Sequence, residues 1–420
     1  MKKIFALFLA CALVFLTACN HVPPLASGST DGTNDPQKPS ASVLKDTIIG
    51  WDGGNFLNLP SRIVFEKDVS DGHRNNVYYS KADGKIYLYC YDPLCTHKSG
   101  SCLAEPPSAI TPFSFSEVHF INDRFYVLSV MNAQIYSFNF DGTDMKLEYD
   151  AGYSNEVPGP IWALTSFSYE DYIYINQYAG YDGKQHTLRF HVETGEMEDL
   201  TQKTGNYIFP RFIYNGEIYG YGESRIEDGK IVGGGYFKAD LNLERLEEVE
   251  EIEAGLYFYG NRFFNRAWGE NDKIIGIQIL DMKTGEMTVI SNADLGMDED
   301  SKPEIACVDE NYVYYFNSKK IVAGYKPHPK TGELSVPVTV NDGKLYRMNH
   351  DGTNPVCIFD DSKFSLDGYC ATAFDGSILI RACFYHVRDG VCEKYGTCYY
   401  LGTLREDGTI GEFEEVEIVS

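Results

Sequence analysis

The sequence predicts an all-β chain of repeated four-stranded units, and three observations carry that prediction. A short polar turn leading into an aromatic or β-branched strand recurs six times, as NDRFYVLSV (122–130), EDYIYINQ (170–177), NGEIYGYG (215–222), GNRFFNRA (260–267), ENYVYYFN (310–317) and DGSILIRAC (375–383). A strand hairpin recurs seven times, as KADGKIYLYC (81–90), QIYSFNFDGTDMKLEYD (134–150), TLRFHVETGEMEDL (187–200), GYFKADLNLERLEEVE (235–250), GIQILDMKTGEMTVI (276–290), KLYRMNHDGTNPVCIF (344–359) and YYLGTLREDGTIGEFEEVEIV (399–419). Helical periodicity is nearly absent beyond the N-terminal segment. Leu241 to Ile252 is the one competitor, and it sits inside the repeat as a strand pair.

The first landmark returns after 48, 45, 45, 50 and 65 residues. Thirteen Asp-Gly pairs punctuate the chain, and such pairs accept the positive φ that tight hairpin turns demand. Two hairpins per unit, a period of this length and no helices fit a ring of four-stranded blades, because a ring leaves only short, protected edges. The expected fold is a β-propeller over residues 50–420. Seven hairpins argue for seven blades. Six is the alternative, since the unit before Cys90 has only Arg62 to Lys67 and Val77 to Ser80 ahead of its hairpin.

The N-terminus carries a different signal. Lys2 and Lys3 precede the apolar run Ile4 to Phe15, which ends in Leu16-Thr17-Ala18-Cys19. The run is too short to span a bilayer and is placed like the core of an export signal. It resembles the signals of bacterial lipoproteins. The resemblance implies a cleaved segment 1–18, diacylglyceryl transfer to Cys19, and an extracytoplasmic chain held to the bacterial cell membrane by its lipid. Residues 19–49 then read as a tether, rich in Pro, Ser, Thr, Gly and Asp and too poor in apolar residues to offset ordering entropy.

Cleavage removes Lys2 and Lys3, leaving 34 basic against 61 acidic residues, a net charge of −27. Nucleic acid is excluded as a partner, because its binders carry a basic footprint. Asp294, Asp298, Glu299 and Asp300 lack the ligand spacing of a calcium loop and read as a solvated loop.

The phrases IYSFNFDGTD (135–144) and LYRMNHDGTN (345–354) resemble the repeats of YWTD and TolB-like propellers, where an apolar-Tyr strand leads into an Asp-Gly turn. Bacterial surface lipoproteins with such repeats are the nearest likeness. It covers most of the mature chain, and its motifs specify blades rather than chemistry.

Loops between the second and third strands of a blade share one face with the blade-to-blade connections. Here those loops are long and uneven: 178–185, 222–235, 318–343 and 387–397. Connections beyond a dozen residues are uncommon without a role, which makes 318–343 the best candidate for a specificity loop. It carries Lys319, Lys320, Lys326, His328 and Lys330, a basic island on an acidic chain. A solvated excursion is the plainer reading of that island. Tyr178, Tyr181 and Tyr325, with His328, are the loop residues placed to stack on a sugar or anchor a protein.

Cys90, Cys95, His97 and Cys102 form the one constellation with metal-ligand character, C-x4-C-x-H-x4-C. Three thiolates and an imidazole suit a structural tetrahedral zinc, the only cofactor implied; an exported protein equally pairs two such thiols as a disulfide. Cys307, Cys357, Cys370, Cys383, Cys392 and Cys398 bring the non-lipidated mature thiols to nine, an odd number that forbids complete pairing within one chain. Turn symmetry in the last unit places Cys398 opposite Cys383, with Cys370 nearby.

Nucleophile-elbow, zincin, P-loop and dinucleotide motifs are all missing from the sequence. The expected function is therefore a membrane-anchored module that binds a protein or glycan through its loop-rich face. The alternative is a polysaccharide-active enzyme, a hydrolase or lyase, with carboxylates at the channel.

Overall fold

The computed structural model describes residues 48–50, 56–58, 62–68, 74–88, 118–129, 133–139, 144–151, 161–179, 185–222, 224–227, 230–250, 252, 257–360, 364–366, 371–388, 391–403, 405 and 409–419. Strand β1 (Ile48–Gly50) comes first. Blade 1 is the meander β2 (Phe56–Asn58), β3 (Arg62–Asp68), β4 (Arg74–Ser80) and β5 (Lys85–Leu88). Blade 2 is β6 (Val118–Ile121), β7 (Arg124–Ser129), β8 (Gln134–Asn139) and β9 (Lys146–Asp150). Blade 3 is β10 (Ile161–Tyr169), β11 (Tyr172–Ala179), β12 (His186–His191) and β13 (Glu196–Asp199), followed by the short helix α1 (Leu200–Thr204).

Blade 4 comprises β14 (Phe209–Tyr214), β15 (Glu217–Tyr221), β18 (Tyr236–Asp240) and β19 (Leu246–Glu248), with the hairpin β16 (Ser224–Glu227) and β17 (Lys230–Gly233) between its second and third strands. Blade 5 is β20 (Tyr257–Tyr259), β21 (Arg262–Trp268), β22 (Ile274–Asp281) and β23 (Glu286–Ser291). Blade 6 is β24 (Pro303–Val308), β25 (Tyr312–Asn317), β28 (Lys344–Asn349) and β29 (Val356–Asp360), with the hairpin β26 (Ile321–Pro327) and β27 (Leu334–Val340) in the corresponding place. A short strand β30 (Phe364–Ser365) leads into blade 7, formed by β31 (Ala371–Phe374), β32 (Ser377–Arg388), β33 (Val391–Thr403) and β34 (Glu414–Glu415); β35 (Ile418–Val419) ends the chain.

Seven blades close a ring, and each is built from a contiguous stretch of sequence. The six recurring turn-strand phrases are the second strands of blades 2 to 7, and the seven hairpins are the outer pairs of all seven. The first strands of the blades touch one another around the axis, β6 to β10, β10 to β14, β20 to β24, β24 to β31 and β31 to β2. Consecutive strands of a meander turn alternately at its two ends. One face therefore carries the first-to-second and third-to-fourth strand turns, and the other carries the second-to-third strand connections and the links between blades.

Packing between blades makes the core. Phe264, Ile277, Val313, Tyr315 and Met348 form one cluster between blades 5 and 6, and Tyr174, Ile213, Ile218 and Ala239 form another between blades 3 and 4. Tyr-x-Tyr pairs explain part of the aromatic content. Tyr172 and Tyr174 open β11, Tyr312 and Tyr314 open β25, and Arg189 and Arg347 stand opposite Tyr174 and Tyr314 on the next strand. The two guanidinium groups lie over the rings of Tyr172 and Tyr312 at 4.6 and 4.2 Å, an attraction that grows as the pair leaves water.

Both ends of the described chain join the ring as extra strands. Strand β35 pairs in parallel with β5 on the outer edge of blade 1, and Val416 is buried with Ile63, Tyr79, Leu379 and Tyr399 between blades 7 and 1. Strand β1 pairs antiparallel with β14, the innermost strand of blade 4, so it lines the axis. Ile48 is almost fully buried with Phe212, Tyr214 and Phe263, and its N–H donates to Gly260 O at 2.7 Å.

Four expectations need correction. The ring begins earlier than residue 50, because Ile48 and Ile49 already belong to β1. The connection 318–343, expected as a loop, is a paired hairpin, and 387–397 is mostly strand. In blade 7 Arg388 pairs with Val391, and a bulge follows at Phe384/Tyr385. Cys398 consequently faces Ala382, and Cys383 faces Thr397, so the two cysteines do not oppose each other. Helix α1 was not foreseen; Asp199 caps its first turn at Gln202 N, and Gly205 ends it in the left-handed region at φ 79°.

Candidate binding face

Three blades extend hairpins from the face that carries the second-to-third strand connections. Blade 4 contributes β16–β17, blade 6 contributes β26–β27, and blade 7 contributes the long ends of β32 and β33. The last two merge. Tyr325 on β26 pairs in parallel with Val391 on β33, giving a continuous order β27-β26-β33-β32 raised above the ring.

The blade 6 hairpin is locked at its base. Ser318 N donates to Lys302 O at 2.8 Å, and the buried Asn317 accepts from Lys302 N and Lys319 N through Oδ1. Asn317 Nδ2 donates to Ser301 Oγ at 3.2 Å, and the Lys319 ammonium pairs with the Asp300 carboxylate. On the returning strand Asn341 Nδ2 donates to Leu366 O at 2.6 Å. The tip closes through His328 N to Glu333 O at 2.7 Å and Gly332 N to His328 O at 2.9 Å, while His328 Nδ1 accepts from Lys330 N. So many fixed backbone groups make the hairpin a stiff arm.

Apolar side chains stand exposed on and beside it. Ile321, Val322, Tyr325 and Leu334 are 45–55% exposed on the arm, and Trp268 reaches 53% at the end of β21 on the neighbouring blade. Ile275 is exposed at the bulge between the Ala267–Gly276 and Trp268–Ile274 pairs. Gly269 makes that turn possible, because a Cβ there would lie 2.7 Å from Ile275 Cγ2.

Charge is mixed on this face. Lys319 and Lys273 are paired with Asp300 and Glu299 of the link between blades 5 and 6, whereas Lys320, Lys326 and Lys330 have no carboxylate partner among the described residues. Asp294 Oδ2 accepts from Ser291 Oγ at 2.6 Å. The acidic run is thus an ion-paired loop beside the arm. Burial lifts the Asp342 carboxyl above its ordinary range at the arm's second foot; Lys344 opposes this and Asp360 adds to it.

Of the residues singled out from sequence, Tyr325 and His328 lie on the arm. Tyr178 lies near the same end of β11. Tyr181, Cys19, Cys90, Cys95, His97 and Cys102 lie outside the described residues. Cys357 is a free thiol, and among the described residues no group of His, Cys, Asp and Glu is spaced to hold a metal. Sequence reasoning missed Trp268, Ile275, Ile321, Val322 and Leu334. Trp268 was the one with a signal, as one of three tryptophans, immediately before a Gly-Glu-Asn-Asp turn.

Toward the axis, His119 Nε2 lies 2.8 Å from Ser166 Oγ, joining β6 to β10. Burial holds the imidazole neutral, with its pKa lowered to about 3. A serine beside a neutral histidine has the makings of a nucleophile and base. Both side chains are closed into the core, which makes the pair a strut between blades 2 and 3. Among the described residues the inner strands hold one carboxylate, Glu304, paired with Arg266 at 2.6 Å.

No protein-family model matches the chain, and no curated protein matches it in sequence. Solved structures that it resembles include a post-proline cleaving enzyme from Rickettsia typhi, at 9% identity and TM-score 0.43 over 72% of this chain. This chain spans 46% of that protein's length. The propeller domain of the Trilobed protease from Pyrococcus furiosus is similar at 12% identity and TM-score 0.42, over 84% of this chain and 93% of that one. TolB from Acinetobacter baumannii is similar at 12% identity and TM-score 0.30, over 87% and 80%.

Proposed function

We propose that this chain is a lipid-anchored, extracytoplasmic binding module whose arm-bearing face takes a protein partner. One observation carries the reading. Trp268, Ile275, Ile321, Val322, Tyr325 and Leu334, six large apolar side chains exposed to water, all belong to the strand ends and the hairpin that blades 5 and 6 present on this face. Exposed clusters of this kind around an aromatic anchor mark interaction surfaces, and Trp and Tyr supply contact area with few rotors to freeze. Lys320, Lys326 and Lys330 give the cluster a basic rim suited to an acidic partner surface.

The test compares retention of envelope proteins by the mature chain and by the double variant Trp268→Ala, Tyr325→Ala. A protein held saturably by the first and released by the second, at equal melting temperature, supports the proposal. Retention that survives protease digestion of the envelope points instead to a glycan. New reducing ends or unsaturated sugars appearing in that glycan would favour the enzyme. The anchor and the cysteine constellation are tested separately, by the mass of the N-terminal peptide and by the zinc content of the purified chain. Bound zinc lost on substituting Cys95 supports a closed metal site at Cys90, Cys95, His97 and Cys102.

A further inference from the structure

We infer that Arg211 is an anion site at the propeller axis, where its guanidinium takes the carboxylate of a small ligand. The innermost strands are nearly free of charge. Among their described residues, His119 is buried against Ser166, Glu304 is paired with Arg266 at 2.6 Å, and Arg211 on β14 is the one charge left over. Arg211 is half-buried, with no hydrogen-bonding, carboxylate or aromatic partner among the described residues. A guanidinium drawn partly out of water without a partner costs stability, so the packing of the ring gives no reason for it.

The backbone is built around this residue. Strand β14 changes register against β15 between Pro210 and Phe212, and Arg211 is the extra residue of that bulge. Bulges re-aim side chains and recur beside functional sites. This one depends on Gly220, where a Cβ would lie 1.9 Å from Phe209 O. Strand β1 stops at the same point: it pairs with Tyr214, Ile213 and Phe212, so Arg211 is the first position that no described strand covers on the axis side of β14. The seam with blade 3 adds a neutral donor. Tyr207, just ahead of β14, donates to Asn176 Oδ1 at 3.1 Å, while Asn176 Nδ2 is fully buried with no partner. One guanidinium with no second free cation on the innermost strands matches a planar monoanion through two parallel N–H···O bonds; a phosphate dianion would leave charge unmet.

This site is separate from the arm and stands or falls without it. Titration calorimetry of the mature chain uses two acids, glucuronate and trialanine, each beside its neutral counterpart, the methyl ester and the C-terminal amide, with inorganic phosphate as a third anion. Saturable binding of at least one acid is expected, weakened at least about tenfold in its neutral counterpart and in Arg211→Gln, as for the loss of one charge-assisted bond. Which acid binds tells whether the carboxylate comes from a sugar or from a peptide end. The Trp268→Ala, Tyr325→Ala variant should bind that acid as the parent does. Arg211→Gln should melt no lower than the parent, because the guanidinium has no internal bond to lose; a lower melting temperature would make Arg211 a structural residue and overturn the inference. Binding of neither acid, equal binding of an acid and its neutral counterpart, or phosphate binding more tightly than both acids would overturn it too.

Discussion

Gly220 shows how little freedom single positions have in this ring. A Cβ there would sit 1.9 Å from Phe209 O, at the bulge where β14 and β15 cross register, and backbone cannot give way as a side chain can. Gly220→Ala should cost about 2 kcal/mol or more in urea unfolding. Asp281 works in the other direction. Its carboxylate accepts from Lys283 N, Thr284 N and Asn261 Nδ2, and although burial pushes its pKa up, the Thr284 and Lys283 amides and Arg262 bring it below the ordinary value. A lowered carboxylate stabilises above its unfolded pKa and loses that contribution as pH falls through the folded one. His119 loses its contribution earlier. With its pKa lowered to about 3 by burial, it stays neutral while the unfolded histidine protonates, so stability falls as pH drops below about 6.5. Between pH 7 and pH 5 that amounts to about 2 kcal/mol. His119→Gln should lose correspondingly less over the same interval, measured by urea unfolding at each pH.

At the scale of elements, the arm and the ring are separable. Replacing 321–340 by a short turn removes β26 and β27 yet leaves all four strands of blade 6, whose inner contacts lie with blades 5 and 7. The shortened chain should melt within a few degrees of the parent and lose its partner. Hairpins were the most legible elements in the sequence, because Asp-Gly and Thr-Gly turns announce themselves locally. Their positions at 134–150, 187–200 and 276–290 match β8–β9, β12–β13 and β22–β23. The arm was legible as a long connection and illegible as a sheet, since its pairing to β33 is set by neighbouring blades and leaves no periodic trace in 318–343. Helix α1 was within reach: Asp199 and Gly205 are its cap and stop, but five residues are too few for an apolar period. Ile321, Val322 and Leu334 looked like ordinary strand residues, and only the arm's elevation above the ring exposes them.

Across the whole molecule, closure depends on the two ends of the folded chain. The C-terminal segment ties blade 7 to blade 1 through β35 and Val416, and the Lys81–Asp375 pair at 2.9 Å joins the same two blades. Val416→Asp would bury an unpaired charge in that seam and should destabilise by about 3 kcal/mol, seen as a lower urea midpoint. The N-terminal strand fills the inner edge of blade 4, so both faces of the ring are defined by the chain's own course. A seven-fold count was readable from seven hairpins. The pairing of β1 with β14 was not, because a three-residue strand with no hairpin turn joins residues separated by more than 160 positions.

The central claim is that the cluster around Trp268 and Tyr325 binds a protein. Titrating the mature chain with the protein it retains from its own envelope tests this most directly, alongside the Trp268→Ala, Tyr325→Ala variant. Saturable binding, weakened at least about tenfold in a variant that melts normally, is the predicted result; a loss near 2 kcal/mol is typical of aromatic anchors. Equal binding by the parent and the variant would contradict it.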